Sequence, residues 1–211
     1  MKHDPDELGA GPALIKKHFN VSRETLARLE QFTILLIKWQ RTTNLISHGS
    51  IADIWERHML DSAQLYRHLI SEGPLVDLGS GGGFPGIVLG ILGHKNITLI
   101  ESNKKKCVFL REACRQLKLS LTVHEGRIED YKPATRFSYI TSRALAPLDN
   151  LLNFSKPLMA KDGKCLFHKG KTVASELTAA KKKWIILYKE HTSLSNREGT
   201  ILEIENFSLI E

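Results

Sequence analysis

The sequence predicts an α/β fold: a mostly parallel sheet with helices packed on it, entered through an N-terminal helical extension. Three observations predict it. Apolar residues recur at helical spacing as far as Gly73-Pro74, and beyond that point short apolar runs alternate with helical stretches. The first such run, Leu75-Val76-Asp77-Leu78, passes straight into a glycine-dense turn and a short apolar helix. At 211 residues, with 42% hydrophobic and 25% charged side chains, the chain is long and apolar enough to bury a core.

Residues 1–20 carry Pro5, Gly9, Gly11 and Pro12 and are expected to form a loose leader. A helix is expected after Ser22, a plausible N-cap, because Leu26, Leu29, Phe32, Leu36 and Trp39 share one face. A second amphipathic stretch runs from about Ser50 through Ile51, Ile54, Trp55, Met59, Leu65 and Leu69. After the first strand and the helix at 87–92, strands are expected at 97–100, 119–123, 137–141, 164–168, 184–188 and 201–204. Helices are expected between them at 104–118, 148–159 and 172–180. Strands alternating with helices imply right-handed crossovers around a parallel sheet. The domain boundary is placed at residue 73: leader and extension over 1–73, one compact unit over 74–211.

The formal charge of +7 and a pI near 9.3 favour a phosphate-rich partner, since neutralising phosphates releases condensed counterions. Cys107, Cys114 and Cys165 form no CxxC pair, and no metal-ligand spacing is legible. No signal-peptide core or bilayer-length apolar run is present, so a soluble, cytoplasmic protein without membrane contact is expected.

The sharpest local signal is Asp77-Leu78-Gly79-Ser80-Gly81-Gly82-Gly83-Phe84-Pro85-Gly86. Gly79, Gly81 and Gly83 directly after a strand permit positive φ and close approach of backbone to a ligand. In an open α/β sheet this turn lies at the carboxyl ends of the strands, where ligands bind. A dinucleotide fingerprint, GxGxxG, would place its last glycine where Phe84 stands. Glu101 ends the next strand, where an acid can accept hydrogen bonds from both hydroxyls of a ribose. Both features suit a nucleoside ligand without a pyrophosphate, such as S-adenosylmethionine (SAM). The turn Gly126-Arg127-Ile128-Glu129-Asp130 follows a later strand, where an apolar side chain can pack on a purine and a polar group can meet its edge. A plain surface turn fits that segment equally well.

Several separated segments together resemble the bacterial glucose-inhibited division protein B family, whose members methylate guanine N7 in 16S ribosomal RNA. They are Asn44-Leu45-Ile46-Ser47, Arg57-His58-Met59-Leu60-Asp61-Ser62, the glycine turn, Glu101 through Leu110, Gly126 through Glu129, Thr141-Ser142-Arg143-Ala144 and Lys169-Gly170. The resemblance covers about residues 25–175. It implies a Rossmann-like class I SAM-dependent methyltransferase fold, with SAM contacts from Gly79, Phe84, Ile128, Glu129 and Arg143 and with Glu101 at the ribose. Two positions depart from the family pattern: Glu101 stands where relatives often carry Asp, and Lys106 where Arg is commoner, which keeps charge but loses a bidentate grip on phosphate.

Guanine N7 carries a free lone pair, so no general base is required, and none is legible in the sequence. Arg143, at a strand end, is the candidate for contact with SAM or the target nucleotide. Lys104, Lys105 and Lys106, at a strand-to-helix turn, are the candidate RNA-phosphate contacts; Arg111, Arg115 and Lys118 are expected to line a solvated face. For His58 the alternatives are contact with RNA and a structural tie of Asp61 to the core, of which the structural one is expected; Asn44 is either a helix C-cap or a ligand contact. Small-subunit ribosomal RNA, free or in a particle, is the implied partner. The alternatives are a small-molecule methyltransferase, a non-catalytic RNA-binding assembly factor, and an NAD-dependent oxidoreductase, which the residue at 84 disfavours.

Overall fold

The structure is a computed structural model that describes residues 5–210. Seven strands form one sheet in the order β3-β2-β1-β4-β5-β7-β6. They are β1 (Leu75–Leu78), β2 (Ile97–Glu101), β3 (Thr122–Glu125), β4 (Phe137–Arg143), β5 (Met159–Lys169), β6 (Trp184–Thr192) and β7 (Thr200–Leu209). The first five are parallel, and β7 slots antiparallel between β5 and β6. The chain order reverses at β1, between β2 and β4, which opens a crevice at the carboxyl ends of those strands.

The helices are α1 (Pro5–His18), α2 (Arg23–Gln40), α3 (Asp61–Ala63), α4 (Gly86–Ile91), α5 (Lys104–Gln116), α6 (Leu148–Ser155) and α7 (Val173–Ala180). A π turn at Trp55–Leu60 leads into α3, and a 3-10 turn at Gln64–His68 continues from it. Ser22 caps α2 by accepting the Thr25 N–H at 3.1 Å, and Leu26, Leu29, Phe32 and Leu36 are buried as their spacing predicts. Those side chains share one core with Ile87 and Val88 of α4, Leu99 of β2 and Phe109 of α5, so the extension covers one sheet face. A second core on the other face gathers Val76, Ile140, Leu152, Phe167 and Trp184.

Five expected elements differ. The leader is not loose: Pro5–His18 is helical, Ile15 is fully buried, and Gly11 lies so close to the Trp55 indole that a Cβ there would overlap it. Tertiary packing overrides the breaker content of that segment; residues 1–4 of the expected leader lie outside the described residues. The strand expected at 119–123 begins three residues later, because α5 ends in a Schellman motif. Lys118 takes φ +53°, Lys118 N–H bonds the Arg115 carbonyl, and Leu119 N–H reaches back to the Cys114 carbonyl at 2.9 Å. The helix expected to reach Met159 stops at Ser155, since Pro157 cannot continue it, and Met159 opens β5 instead. The closing strands β6 and β7 run well past the expected 184–188 and 201–204, into residues whose charged side chains hide the apolar alternation.

Candidate active site

The glycine turn is held from below by Asp77. This fully buried carboxylate accepts the Thr141 hydroxyl at 2.9 Å and the Gly86 N–H at 3.2 Å, and burial pushes its pKa up to about 6. Ser80 Oγ donates to the Asp77 carbonyl, and Ser142 Oγ to the Leu78 carbonyl. The turn therefore sits on two polar side chains of β4 and one of its own.

Its three predicted glycines face different surroundings. All have positive φ: +67° at Gly79, +54° at Gly81 and +88° at Gly83. A Cβ at Gly83 would stand 2.7 Å from Ile87 Cδ1 and 3.2 Å from the Phe32 ring, so this glycine serves the packing of α2 and α4 on the turn. A Cβ at Gly81 would meet only the Gly79 carbonyl, at 3.7 Å, and otherwise open space. Gly81 presents backbone to a cavity.

That cavity, of about 320 Å³, is lined by Gly79, Gly81, Glu101, Lys106, Ile128 and Arg143, with Glu129 at its rim. Its size is that of a small-molecule site. Glu101 is buried; its Oε2 accepts the Gly81 N–H at 2.9 Å and its Oε1 the Asn103 N–H at 2.7 Å. A carboxylate has about four lone-pair sites, so both oxygens keep acceptor capacity toward the cavity. Ile128 is half-buried, and the residues Ile128–Asp130 form a single 3-10 turn.

Arg143, at the end of β4, is no solvent-facing strand end. Its side chain is 17% exposed, and it donates to the Arg57 carbonyl at 2.9 Å, to His58 Nδ1 at 2.8 Å and to Asp61 Oδ2 at 3.4 Å, with its guanidinium 4.8 Å over the Phe84 ring. Arginine can only donate, so His58 Nδ1 is the acceptor and Nε2 carries the proton that reaches Ser50 Oγ at 2.8 Å. Burial and the neighbouring Arg143 hold the His58 pKa down to about 3, so the ring is neutral. Burial pushes the Asp61 carboxyl up, but His168, Arg143 and the Ser195 hydroxyl outweigh it and leave the group below its ordinary value. His58 is thus a bracket for Arg143 rather than a tie to Asp61. Asn44 does not cap α2, whose cap is Arg41; it accepts from Gln40 Nε2 at 3.4 Å.

Phe84 is buried between Phe32, His58 and Arg143, and it lines a second hollow of about 410 Å³ with Leu45, Ser47, Gly81 and Lys106. A third, of about 500 Å³, runs from Arg143 and Ala144 past Pro147 to Lys169 and Asn196. Arg143 and Ala144 border all three. Lys104 and Lys105 are exposed at the start of α5, while Lys106 is half-buried and turns into two of the hollows. Asp77 and Asp61 fall inside segments the sequence singles out, but their roles as supports were missed, since the partners Thr141 and Arg143 lie 64 and 82 positions away.

The family described as rRNA small subunit methyltransferase G matches residues 25–204. The chain belongs to this family. It is 45% identical over 200 residues to the ribosomal RNA small subunit methyltransferase G of Paramagnetospirillum magneticum, covering 94% of this chain and 97% of that one. To the same-named protein of Gluconobacter oxydans it is 46% identical, covering 90% of this chain and 98% of the relative. The O-methyltransferase from Bacillus cereus, solved in complex with SAH, superposes with a TM-score of 0.60 at 11% identity over 93% of this chain and 97% of that one. The ribosomal protein L11 methylase from Lactobacillus delbrueckii subsp. bulgaricus gives 0.55 at 17% identity over 75% of this chain and 79% of that one. The fold is therefore the class I methyltransferase fold expected from the sequence, and this member of the methyltransferase G family is a SAM-dependent enzyme. The site suits that cofactor: Gly81 opens its backbone to the cavity, and Glu101 offers carboxylate acceptors to a ribose there.

The acid has two roles here, bracing the turn and facing the cavity. Replacing Glu101 with Ala is expected to weaken SAM by about 1.5–3 kcal/mol, the range for hydrogen bonds to a charged group, while Asp is much milder. Calorimetry checks it; unaltered SAM affinity in the Ala variant would remove Glu101 from the site.

Proposed function

We propose that the protein transfers the methyl group of SAM to guanine N7 of small-subunit (16S) ribosomal RNA, in the cytoplasm. The observation that carries this reading is the cavity framed by Gly81 and Glu101, which shares Arg143 and Ala144 with a larger hollow of about 500 Å³. In this reading Glu101 holds the ribose hydroxyls, Gly79 and Gly81 bring backbone against the ligand, and Ile128 packs on the adenine beside Glu129. Phe84 acts through Arg143, whose position it sets by ring contact, and Gly83 acts through packing. Bound SAM would supply an electrophilic methyl group: the N7 lone pair would form the new N–C bond in line with the C–S bond that breaks, S-adenosylhomocysteine would leave, and the positive charge would pass to the base. The chain's contribution is alignment and exclusion of water, since N7 needs no proton removed. Arg143, fixed by four partners, is the charged group best placed between cofactor and base.

Incubation with labelled SAM and either naked 16S RNA or small subunits tests the reaction. Borohydride reduction followed by aniline scission locates 7-methylguanine, and an absence of label in both substrates would sink the proposal. The basic turn gives a second check. Replacing Lys104, Lys105 and Lys106 together with Gln is expected to weaken RNA binding, leave SAM binding nearly unchanged, and lower the log–log salt slope by roughly 0.7–0.9 per lost phosphate contact. Equal slopes would move the RNA contact elsewhere on the protein.

A further inference from the structure

Outside the crevice, one group of side chains is assembled from three distant parts of the chain. His68 closes the 3-10 turn after α3, His191 lies on β6 and Glu203 on β7. Glu203 Oε2 stands 2.8 Å from His191 Nε2 and 3.4 Å from His68 Nδ1, and the three atoms lie within 4.8 Å of one another. The two imidazole centroids are 4.4 Å apart. Glu203 is buried, whereas His68 and His191 are half-buried, so one side of the group is open to solvent.

Two nitrogens and one carboxylate oxygen converging on one point are a zinc-type donor set, completed by water at a fourth position. Bonds of about 2.0–2.2 Å place tetrahedral donors about 3.4 Å apart, the distance already found between Glu203 and His68, while the 2.8 Å Glu203–His191 pair would open slightly. The orientation of Glu203 is set from behind: Lys164 Nζ holds its Oε1 at 2.6 Å and leaves Oε2 to the imidazoles. Lys164 also lies 3.5 Å from Glu205 Oε1, a more exposed acid onto which its charge can shift when a cation arrives.

We propose that His68, His191 and Glu203 bind one divalent cation of the zinc class, which staples the end of the helical extension to the β6–β7 hairpin. The placement gives the staple a purpose. The same edge of the extension already grips the hairpin through Asp61 Oδ1, which accepts the Ser195 hydroxyl at 2.6 Å, and through Gln64, which bonds Ser193 Oγ and the Leu194 N–H. Residues 193, 196 and 199 of that hairpin wall the hollow of about 500 Å³, so the cation fixes the third point of a seam bordering it.

The test uses tag-free full-length protein stripped with EDTA and titrated with zinc chloride, followed by calorimetry and thermal melting. One equivalent is expected to bind, raising the melting temperature by roughly 5–10 °C at a hundredfold excess over Kd. Cobalt(II) chloride in its place is expected to give the visible absorption of a low-coordinate site. The His191→Gln variant, altered at a half-exposed position, is expected to fold and to lose both signals, and His68→Ala to lose them as well. Failure of the wild-type protein to bind an equivalent, or retention of the same binding by a folded His191→Gln protein, would overturn the assignment.

Discussion

Gly81→Val is expected to abolish SAM binding while leaving the fold intact, with the melting temperature lowered by roughly 2–12 °C. The Cβ at this position points into the cavity, with the Gly79 carbonyl at 3.7 Å as its only non-adjacent neighbour within 4 Å among the described residues, so the added isopropyl group displaces ligand rather than core. The strain of a β-branched residue at φ +54° costs on the order of 1–3 kcal/mol, which a single domain can absorb. Gly83→Val is the contrasting control. There the Cβ would stand 2.7 Å from Ile87 Cδ1, inside the core, and stability rather than binding is expected to fail. Calorimetry with SAM and circular dichroism on both variants decide between the two roles. A folded Gly81→Val protein with wild-type SAM affinity would move the ligand off this turn.

That contrast marks what was legible in the sequence. The glycine turn and Glu101 are local features, twenty residues apart on adjacent strands, joined directly by the Gly81 N–H bond to Oε2. Hydrophobic runs and spacing were enough to place β1, β2, α2 and α5, because each buries a face that its own periodicity announces. Pattern alone could not assign separate roles to Gly81 and Gly83, since the difference lies in Phe32 and Ile87, which pack from α2 and α4. Nor could it see the Pro5–His18 helix, whose breakers are outweighed by burial of Ile15, or the early end of α5, closed by Lys118 in a conformation glycine usually takes. The brackets of Arg143 are invisible for the same reason: Asp61 and Arg143 lie 82 positions apart, and nothing near either one announces the other. The His68, His191 and Glu203 cluster likewise has no metal-ligand spacing along the chain, because the sheet, not the sequence interval, brings it together.

Asp61→Ala is expected to cost about 3–5 kcal/mol of stability, the usual penalty for removing one partner of a buried ion pair. Asp61 and Arg143 are each 17% exposed on their side chains, and the other groups bonded to Arg143 are a carbonyl, a neutral imidazole and an aromatic face. None of these supplies a full negative charge, so the guanidinium would stay desolvated with only the Asp77 carboxylate, to which it is not bonded, near it. The same substitution releases the Ser195 hydroxyl and Gln64 Nε2, loosening the hairpin that walls the hollow of about 500 Å³. Denaturant melts of the single variants and of the Asp61→Ala, Arg143→Leu double variant separate stability from chemistry. The double variant is expected to recover much of the lost stability, because the orphaned charge is gone, yet to remain poor in methyl transfer, because the cavity has lost Arg143. A loss below about 1 kcal/mol in Asp61→Ala would mean that the pair behaves as a solvated surface contact. Full recovery of activity in the double variant would remove Arg143 from the reaction and leave it a strut between the helical extension and the sheet.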